Sequence, residues 1–514
     1  MTDPKRIVSN DDGWIMSQIM TPVTTRVLKE RIVDTYVDSG LDTLSWCIGD
    51  TASQRYESIE ILARIANSPQ GLEDDHADQN LRRLIESDGG PVTIFTKLCH
   101  DVGLKFLPSV RMNSHYAGDL TRGEAGGIKA EHPEYMIGRP EDEFIENTLA
   151  WGIRTGLDYA RPEVRAHVAA LIIDLFERFD TDGVELDFMR HPAFFRVEEA
   201  FASRHLISDM LRQVKTKMNE VAAVTGRALE ILVRVPPSPG DSARIGLDVE
   251  TWIREGIVDT VAAGGGFIPQ HAPIEEFVEL AIGTDCTILG SMESLVPATE
   301  EITVNGIASR MYEGGAAGLY LFNFWHKSGE WKRRVFNRLA DADQLAQAPK
   351  RYEMEFNERL APNDLHSYAF RYAVPFVQLP VDLGFTFTGR GPTLSLILGD
   401  DIEQAVEEGS IVWCTLTLGL TDLTAEDELE VWINGMLLSS ENATRRFGGW
   451  SRQEWTRFPH RLAEVEYAGG TIEYEVDGPP FKQGRNEIEI RTIMRTVMRS
   501  TKLSLRHVEL HIEH

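Results

Sequence analysis

Short apolar runs rich in β-branched residues alternate with longer amphipathic stretches from residue 6 to about residue 345. The runs predict eight strands: Arg6–Ser9, Thr43–Ile48, Lys105–Val110, Gly183–Phe188, Glu230–Val235, Val258–Ala263, Cys286–Gly290 and Gly318–Phe322. The amphipathic stretches predict helices at Thr25–Asp38, Gln79–Val102, Pro162–Phe179, Glu198–Val224, Ile274–Ile282 and Asn305–Glu313. This alternation predicts an α/β fold with a parallel sheet, and eight units in about 340 residues predict a (β/α)8 TIM barrel.

One long segment, residues 111–160, follows the third predicted strand and is rich in Gly, His and Pro. We interpret it as an extended loop that carries a β-hairpin, with a further strand near Asn147–Ile153. Barrel proteins place substrate contacts on loops that leave the carboxyl ends of their strands. The segment therefore predicts part of a binding site.

From about Ala348 the pattern changes to short runs in which apolar and polar residues alternate. These runs are Ser395–Leu398, Ile411–Leu418, Glu428–Ile433, Thr471–Val476, Glu487–Arg491 and Leu503–Ile512. Turn signals such as Asn434-Gly435 separate them. The pattern predicts an all-β antiparallel sandwich over residues 348–514, following a barrel domain over residues 1–347.

The charge balance narrows the range of partners. Asp and Glu number 80 against 52 Lys and Arg, which gives a net charge of −28. Nucleic acids and anionic membranes bind clustered positive charge, so we expect neither as a partner. A neutral or cationic small substrate is favoured, and a homo-oligomer stays open.

Four scattered cysteines, Cys47, Cys99, Cys286 and Cys414, form no CxxC motif and no Cys/His cluster. We therefore expect free, mostly buried thiols, with no disulfide framework, no metal and no cofactor. The sequence has no apolar leader and no apolar run of membrane-spanning length. These features predict a soluble protein, either cytoplasmic or secreted with its signal missing from this sequence.

The fourth predicted strand carries two carboxylates, Glu185 and Asp187. Successive side chains of a strand point to opposite faces, so Val184 and Leu186 share one face while the two acids share the other. The apolar face must meet the helices, which points both acids into the lumen with Asp187 nearer the mouth. The competing interpretation is a structural ion-pair network with Arg190 or Arg234 as partner, and it fits the deeper Glu185 better than Asp187.

A second mouth carboxylate comes from the seventh strand, where the same alternation places Glu293 at the carboxyl end. Glycoside hydrolysis needs two carboxyl groups flanking the scissile bond, one an acid and the other a nucleophile or base. The pair Asp187 and Glu293, with Glu185 tuning Asp187, therefore predicts a glycosidase acting on an oligo- or polysaccharide. A loop carboxylate that only binds hydroxyl groups is the alternative for Glu293.

Six of the eight predicted strands end in polar or aromatic residues that suit sugar recognition. The predicted substrate contacts are Asn10, Asp11, Asp12, Trp46, Arg111, Asn113, His115, Arg190, His191, Arg234, Asn323 and Trp325. Each has an alternative explanation. Asn10 and Asp11 suit helix capping, for example, and Trp46 suits packing at the rim.

Three motifs resemble a known family: Gly183-Val-Glu-Leu-Asp-Phe-Met-Arg-His191, Arg111-Met-Asn113 and Leu157-Asp-Tyr-Ala-Arg-Pro-Glu-Val-Arg165. Over residues 6–345 the chain resembles the glycosyl-hydrolase-like barrels related to the family 10-like and domain-of-unknown-function 187 proteins. The resemblance implies a (β/α)8 barrel with the strand-four acids in its active site, and we count Tyr159 with the substrate contacts. Val431–Gly435 and Gly484–Ile490 likewise resemble the jelly-roll modules attached to many glycosidases, which bind sugar or only brace the barrel.

A weaker resemblance is the Leu-Asp-x-x-x-His spacing of α-amylase-type barrels, which Asp187 and His191 meet. Those barrels end strand five in an acidic residue, whereas this chain has Val233-Arg-Val-Pro-Pro237, so we do not transfer the assignment. Two other classes stay open. One is a non-catalytic carbohydrate-binding barrel, and the other is a metal-assisted lyase or hydrolase using Asp11, Asp12, His115 and Asp187.

Overall fold

The structure is a computed structural model, and it describes residues 4–18, 22–67, 76–115, 127–139, 141–143, 151, 153–189, 192–264, 272–294, 300–354, 378–384, 390–411, 413–456, 461–476, 480–495 and 502–514. Eight parallel strands form a closed barrel in chain order, with the first strand paired to the last. They are β1 Arg6–Asp11, β2 Thr43–Asp50, β3 Lys105–Arg111, β4 Gly183–Asp187, β5 Glu230–Val235, β6 Thr260–Ala263, β7 Thr287–Glu293 and β8 Gly318–Phe322. The predicted (β/α)8 barrel is confirmed, and each predicted strand overlaps an observed one.

Helices surround the barrel in the order that the amphipathic pattern predicts. Their bounds are Ile15–Gln18, Thr25–Arg31, Ile59–Asn67, His76–Asp88, Pro91–His100, Ile128–Glu131, Pro162–Glu177, Ala200–Thr225, Pro239–Arg244, Val249–Arg254, Ile274–Ala281, Glu301–Glu313, Gly329–Ala340 and Ala342–Ala346. Short 3₁₀ turns lie at Val33–Thr35, Pro133–Tyr135 and Phe324–His326.

The single helix predicted over Gln79–Val102 is wrong. The chain leaves the helix at Gly89 and Gly90, whose φ angles of 87° and 114° lie in the left-handed region, and a new helix begins at Pro91. Proline is favourable at the first position of a helix, where its missing N–H is not needed. The break therefore follows from the local Gly-Gly-Pro sequence.

The strand predicted near Asn147–Ile153 lies mostly outside the described residues. The two residues of that range that the structure describes, Trp151 and Ile153, are helical. Nearby, Met136 and Leu157 form an isolated antiparallel bridge. That bridge is all of the predicted hairpin found in the described part of this segment.

Two layers of side chains stabilise the barrel. The outward faces of the strands pack on the helices in one large apolar cluster. The lumen holds a small separate cluster, formed by Val8, Leu107, Leu232, Ala262, Leu289, Tyr320 and Phe322. At the amino-terminal end, Arg6 donates to Glu230 at 3.0 Å and to the hydroxyls of Thr43 and Thr260 at 3.1 Å each. This ion-pair network occupies the amino-terminal end of the lumen.

The remaining strands are antiparallel and form the sheets of a β-sandwich. They are β9 Lys350–Glu353, β10 Val381–Asp382, β11 Thr393–Leu398, β12 Trp413–Thr421, β13 Glu428–Ile433, β14 Met436–Leu437, β15 Ala443–Phe447, β16 Trp450–Thr456, β17 Arg461–Tyr467, β18 Gly469–Val476, β19 Gly484–Met494 and β20 Ser504–Glu513, with a helix at Ile402–Glu407 and a 3₁₀ turn at Ser440–Asn442. One sheet has the order β10-β20-β12-β18-β15 with β9 beside β20, the second has the order β11-β19-β13-β14, and β16 pairs with β17. The turn at Asn434-Gly435 has φ angles of 51° and 81°, as an Asn-Gly hairpin turn requires.

Barrel helix Glu301–Glu313 lies directly on the first strands of the sandwich. A Cβ on Gly306 would approach the carbonyl oxygen of Arg351 to 2.2 Å, and one on Gly399 would approach Ser309 to 2.3 Å. Glycine is therefore needed at both positions. At the same junction Lys350, fully buried, pairs with Asp400 at 2.8 Å.

Candidate active site

Strand β4 places two carboxylates in the lumen. Val184 and Leu186 pack outward into the large core under the helices, so Glu185 and Asp187 point inward. The two acids are 0% and 2% exposed. The alternation along the strand predicts this placement.

Glu185 is the deeper acid, and it binds side chains from four other strands. It accepts hydrogen bonds from Tyr320 on β8 at 2.6 Å, Asn10 on β1 at 3.0 Å and Ser109 on β3 at 3.1 Å, and also from Ser45 on β2. Burial and the charge of Asp187 raise the pKa of Glu185, against these hydrogen bonds, which lower it. Its oxygens are occupied by protein donors, so Glu185 connects the barrel walls and does not present itself to a substrate.

Asp187 lies one level higher and pairs with Arg234 of β5. The Arg234 Nη1 lies 3.3 Å from Asp187 Oδ2, and the backbone N–H of Met189 donates to Oδ1 at 2.9 Å. The two residues are register partners on adjacent strands. Arg234 is 0% exposed, so this ion pair is buried.

The guanidinium of Arg234 crosses the lumen to β8. Its Cζ lies 3.7 Å from the centroid of the Phe322 ring, a cation–π contact that fixes the plane of the group. Burial acts to lower the pKa of Arg234, but the charge of Asp187 and, among weaker contributions, that of Glu293 raise it above its ordinary value. Arg234 therefore lies within electrostatic reach of both mouth carboxylates.

Glu293 ends β7 beside Phe322, its register partner on β8. It is 1% exposed. Ser291, two residues earlier on the same face of β7, is also buried, and its hydroxyl has no hydrogen-bond partner in the described part of the chain. Strands β4, β5, β7 and β8 thus bring Asp187, Arg234 and Glu293 to one end of the lumen.

Two further strand ends add charge to the mouth. Arg111, at the end of β3, is the register partner of Asp187, and its Nη2 lies 4.0 Å from Asp12 Oδ2. The thiol of Cys47 on β2 interacts electrostatically with the same charged groups. Burial raises the pKa of its thiol, and Arg111 lowers it while Asp12 and Asp187 raise it. Cys47 was not among the predicted site residues, although its alternation with Ser45 points it inward.

The side chains of Asn10 and Asp11 point to opposite sides of the barrel wall at the end of β1. Asn10 points into the lumen toward Glu185. Asp11 points outward to the helix layer, where it interacts electrostatically with Lys332 and Tyr36. Asp11 therefore lies in a buried acid–base pair with Lys332 beneath helix Gly329–Ala340, away from the lumen in which its contact with substrate was predicted.

The two predicted tryptophans also differ in position. Trp46 is completely buried in the helix layer, with its ring centroid 4.6 Å from that of Phe95, so it is a packing residue instead of a substrate contact. Trp325, after β8, is half-buried and stacks on Trp14 with a centroid distance of 4.4 Å. Asn323 just before it is buried in a left-handed conformation, with φ of 62°.

Asn113 and Tyr159 hold the loop after β3 in place. The Asn113 amide donates to the carbonyls of Leu157 and Ala193 at 3.0 and 2.7 Å and accepts from the N–H of Leu157 at 2.9 Å. The Tyr159 phenol donates to the carbonyl of Met112. Both side chains therefore hold the backbone of this loop, and their contact with substrate stays a prediction. His115 is buried against Gly156, where a Cβ would lie 2.0 Å from its Cε1.

Arg190 and His191, the remaining predicted contacts, lie outside the described residues. Sequence reasoning missed the residues that fill the lumen around the acids, namely Ser45, Ser109, Ser291, Tyr320 and Phe322. Their signal was present in the strand alternation, since each lies two residues from another inward-facing position.

The four residues of the metal hypothesis do not come together. Asp11 points away from the lumen, and no group of three or more His, Cys, Asp or Glu among the described residues could hold a metal ion. Within the same part of the chain, none of the helices combines the length and apolar character needed to cross a bilayer.

Comparison with known proteins gives no family. No protein-family model matches the sequence. No curated protein matches it either.

Solved structures share the general architecture at low similarity. The chain is 11% identical to a GH36 alpha-galactosidase from Geobacillus stearothermophilus, with a TM-score of 0.39 over 96% of this chain and 56% of that one. It is 11% identical to a noncanonical maltogenic alpha-amylase from Thermotoga neapolitana, with a TM-score of 0.38 over 95% of this chain and 99% of the amylase. The chain is 10% identical to the PgaB glycoside hydrolase domain from Bordetella bronchiseptica, with a TM-score of 0.38. That match covers 65% of this chain and 99% of the domain. The chain thus spans little more than half the length of the galactosidase, and at these scores the fold rests on the strand pairing alone.

Proposed function

We propose that this chain hydrolyses a glycosidic bond in an oligo- or polysaccharide, with Asp187 and Glu293 as the two catalytic carboxyl groups. The observation that supports it best is the position of Arg234. This buried cation pairs with Asp187 at 3.3 Å and interacts electrostatically with Glu293, at the end of the barrel opposite the Arg6 network. Two acids on separate strands at that end meet the chemical requirement of glycoside hydrolysis.

The contacts suggest a division of roles. Asp187 accepts from Arg234 and from the Met189 N–H, which suits it to act as nucleophile or base. Glu293 is then the acid that protonates the leaving oxygen. Glu185 acts through Asp187, as a positioning and tuning group behind it.

The test is a hydrolysis assay over a broad glycan panel with wild type, Asp187→Asn and Glu293→Gln. Each substitution keeps the shape of the side chain and removes the acid, so turnover should fall by about 10²–10⁴-fold while the fold is retained. Asp209→Asn and Glu220→Gln are matched controls, because both acids are exposed on the outer helix Ala200–Thr225. Full activity in either mouth variant would refute the assignment.

A non-catalytic carbohydrate-binding barrel is the second candidate, and the Arg234–Asp187 ion pair favours it, since a compensated carboxylate can be purely structural. Calorimetry that finds sugar binding, together with no product from any glycan of the panel, would select it. We further propose that residues 1–347 carry the site and that residues 348–514 brace the barrel. The buried Lys350–Asp400 pair at the junction supports this bracing.

A further inference from the structure

Among the buried polar atoms at the mouth that have no hydrogen-bond partner in the described part of the chain, three belong to inward positions of β5 and β7. They are Nε and Nη2 of Arg234 and Oγ of Ser291. Leaving a buried donor unsatisfied costs about 1–3 kcal/mol, and more for a charged group. A polar group bound beside such atoms would recover this free energy.

The two arginine atoms are the bidentate edge of the guanidinium. Arg234 uses Nη1 for Asp187, and the Phe322 ring holds the plane of the group from below. Nε–H and one N–H of Nη2 point in parallel from the opposite edge, with the spacing of the two oxygens of a carboxylate. The protein thus fixes the orientation of this edge without filling it.

The strand between Arg234 and Ser291 carries only small residues toward this edge. Between β5, which carries Arg234, and β7, which carries Ser291, strand β6 contributes only Ala262 to the lumen, and Gly264 follows it. A Cβ built on Gly264 would lie 3.8 Å from the carbonyl oxygen of Ser291, an ordinary contact distance. No long side chain from β6 therefore separates the guanidinium from the serine hydroxyl.

We propose that this edge of Arg234, together with Ser291 Oγ, binds a carboxylate carried by the sugar, so that the substrate is a uronic-acid-containing glycan. The inference rests on the proposed function and names its substrate class. It runs against the expectation of a neutral or cationic substrate, which came from the net charge of the whole chain. Inside the mouth, Asp187 and Asp12 already face Arg234 and Arg111, so the selectivity would come from the two directed donors of the Arg234 edge and not from the summed charge.

Binding of monosaccharides tests the proposal without turnover. Calorimetry on the full chain compares glucuronate and galacturonate with glucose and galactose, with the uncharged methyl esters of the two uronates, and with glucose 6-sulfate. The uronates should bind about 10- to 100-fold more tightly than the neutral sugars and the esters, the range expected of a charge-assisted bidentate contact. Equal affinity for a uronate and its ester, or tighter binding of the sulfate, would overturn the proposal.

Two variants locate the preference. Arg234→Lys keeps a cation beside Asp187 but has no bidentate edge, and Ser291→Ala removes only the hydroxyl. Both should reduce the ratio of uronate affinity to neutral-sugar affinity. In Arg234→Lys the ratio should fall to about one, and in Ser291→Ala it should fall severalfold. The matched controls are Arg254→Lys and Ser87→Ala on exposed helix faces, and they should keep the full ratio. If Arg234→Lys does not fold, Ser291→Ala decides alone, and an unchanged ratio there overturns the site.

The glycan panel separates this proposal from the proposed function. Cleavage of neutral glycosides as fast as uronides would overturn the carboxylate site and leave hydrolysis standing. Tight uronate binding that both variants weaken, with no glycoside cleaved, would support the carboxylate site and refute the proposed hydrolase.

Discussion

The phenol of Tyr320 on β8 donates a 2.6 Å hydrogen bond to the carboxyl group of Glu185 on β4, on the opposite side of the barrel. Both side chains are completely buried. The bond joins the two walls across the lumen one level below Asp187. It gives Glu185 a structural role and leaves Asp187 as the strand-four acid nearest the mouth.

Removal of this bond should weaken the barrel. We expect Tyr320→Phe to lower the free energy of unfolding by about 1–3 kcal/mol, because the phenyl ring keeps the packing and Glu185 loses a buried donor. Glu185→Ala should cost more, since it leaves Asn10, Ser109 and Tyr320 without their acceptor. Denaturant titration measures both, and Tyr135→Phe in the loop after β3 is the matched control. Wild-type stability in both lumen variants would contradict the connecting role.

The Phe322 ring should matter for turnover as well as for substrate binding. Phe322→Leu keeps an apolar side chain but removes the π face that orients Arg234, so the guanidinium beside Asp187 loses its fixed plane. If the chain is a glycosidase, kcat should fall about 10-fold, and KM for a uronide should rise as well, because the same plane presents Nε and Nη2 of Arg234 to the substrate. The exposed Phe201 has Arg204 over its ring at 4.3 Å, and Phe201→Leu is therefore the matched control that should leave both constants unchanged. A rise in KM alone would contradict a positioning role.

Periodicity alone was enough to predict the barrel and the two inward acids of β4. A parallel barrel repeats one unit, and a strand has a period of two, so Glu185 and Asp187 could be placed from their neighbours Val184 and Leu186. The partners across the lumen could not be placed in this way. That Arg234 meets Phe322, or Glu185 meets Tyr320, depends on closure of the barrel and on register between distant strands.

The errors at the rim have a simple geometric cause. The first strand was predicted to end at Ser9 but continues to Asp11, so the alternation persists and turns Asp11 outward. A shift of one residue moves a strand side chain to the other face. Trp46 was placed at the mouth for its aromatic character, although its position beside Ser45 and Cys47 puts it on the helix side of β2.

The junction between barrel and sandwich should depend on one buried ion pair. Lys350 Nζ lies 2.8 Å from Asp400, which also accepts from Tyr352. Burial acts to raise the pKa of Asp400, but His514, Lys350 and Tyr352 together hold it below its ordinary value. Asp400→Leu leaves the lysine buried without its partner, and we expect a loss of about 3–5 kcal/mol in denaturant titration.

A surface pair provides the control for that measurement. Lys502 and Asp382 lie 2.9 Å apart with most of each side chain exposed. Asp382→Leu should therefore change stability by less than about 1 kcal/mol. Equal effects of the two leucine substitutions would show that the junction pair contributes nothing beyond an exposed contact.

Asp11 should give the barrel a measurable dependence of stability on pH. Burial, followed by the charge of Asp12, raises the pKa of Asp11 to about 7, while an unfolded aspartate titrates near about 3.9. Between those values the folded chain holds a proton at Asp11 that the unfolded chain has lost. The stability contributed by this group is therefore complete below about pH 4 and is lost as the pH rises to about 7.

Asp11→Asn tests that slope. Asparagine cannot titrate, so the stability of wild type relative to the variant should fall by ~2–4 kcal/mol from pH 4 to pH 7, measured by denaturant titration at each pH. Burial lowers the pKa of the neighbouring Lys332 to about 7, so in wild type this lysine is protonated in both the folded and the unfolded chain below that pH and adds no slope in this window. In the variant, loss of the Asp11 charge lowers the pKa of Lys332 further, which makes the variant more stable as the pH rises and changes the difference in the same direction. Asp209→Asn on the exposed helix should follow the wild-type curve. A constant difference between wild type and Asp11→Asn over the whole window would show that Asp11 is ionised in the folded barrel and that Lys332 compensates its charge.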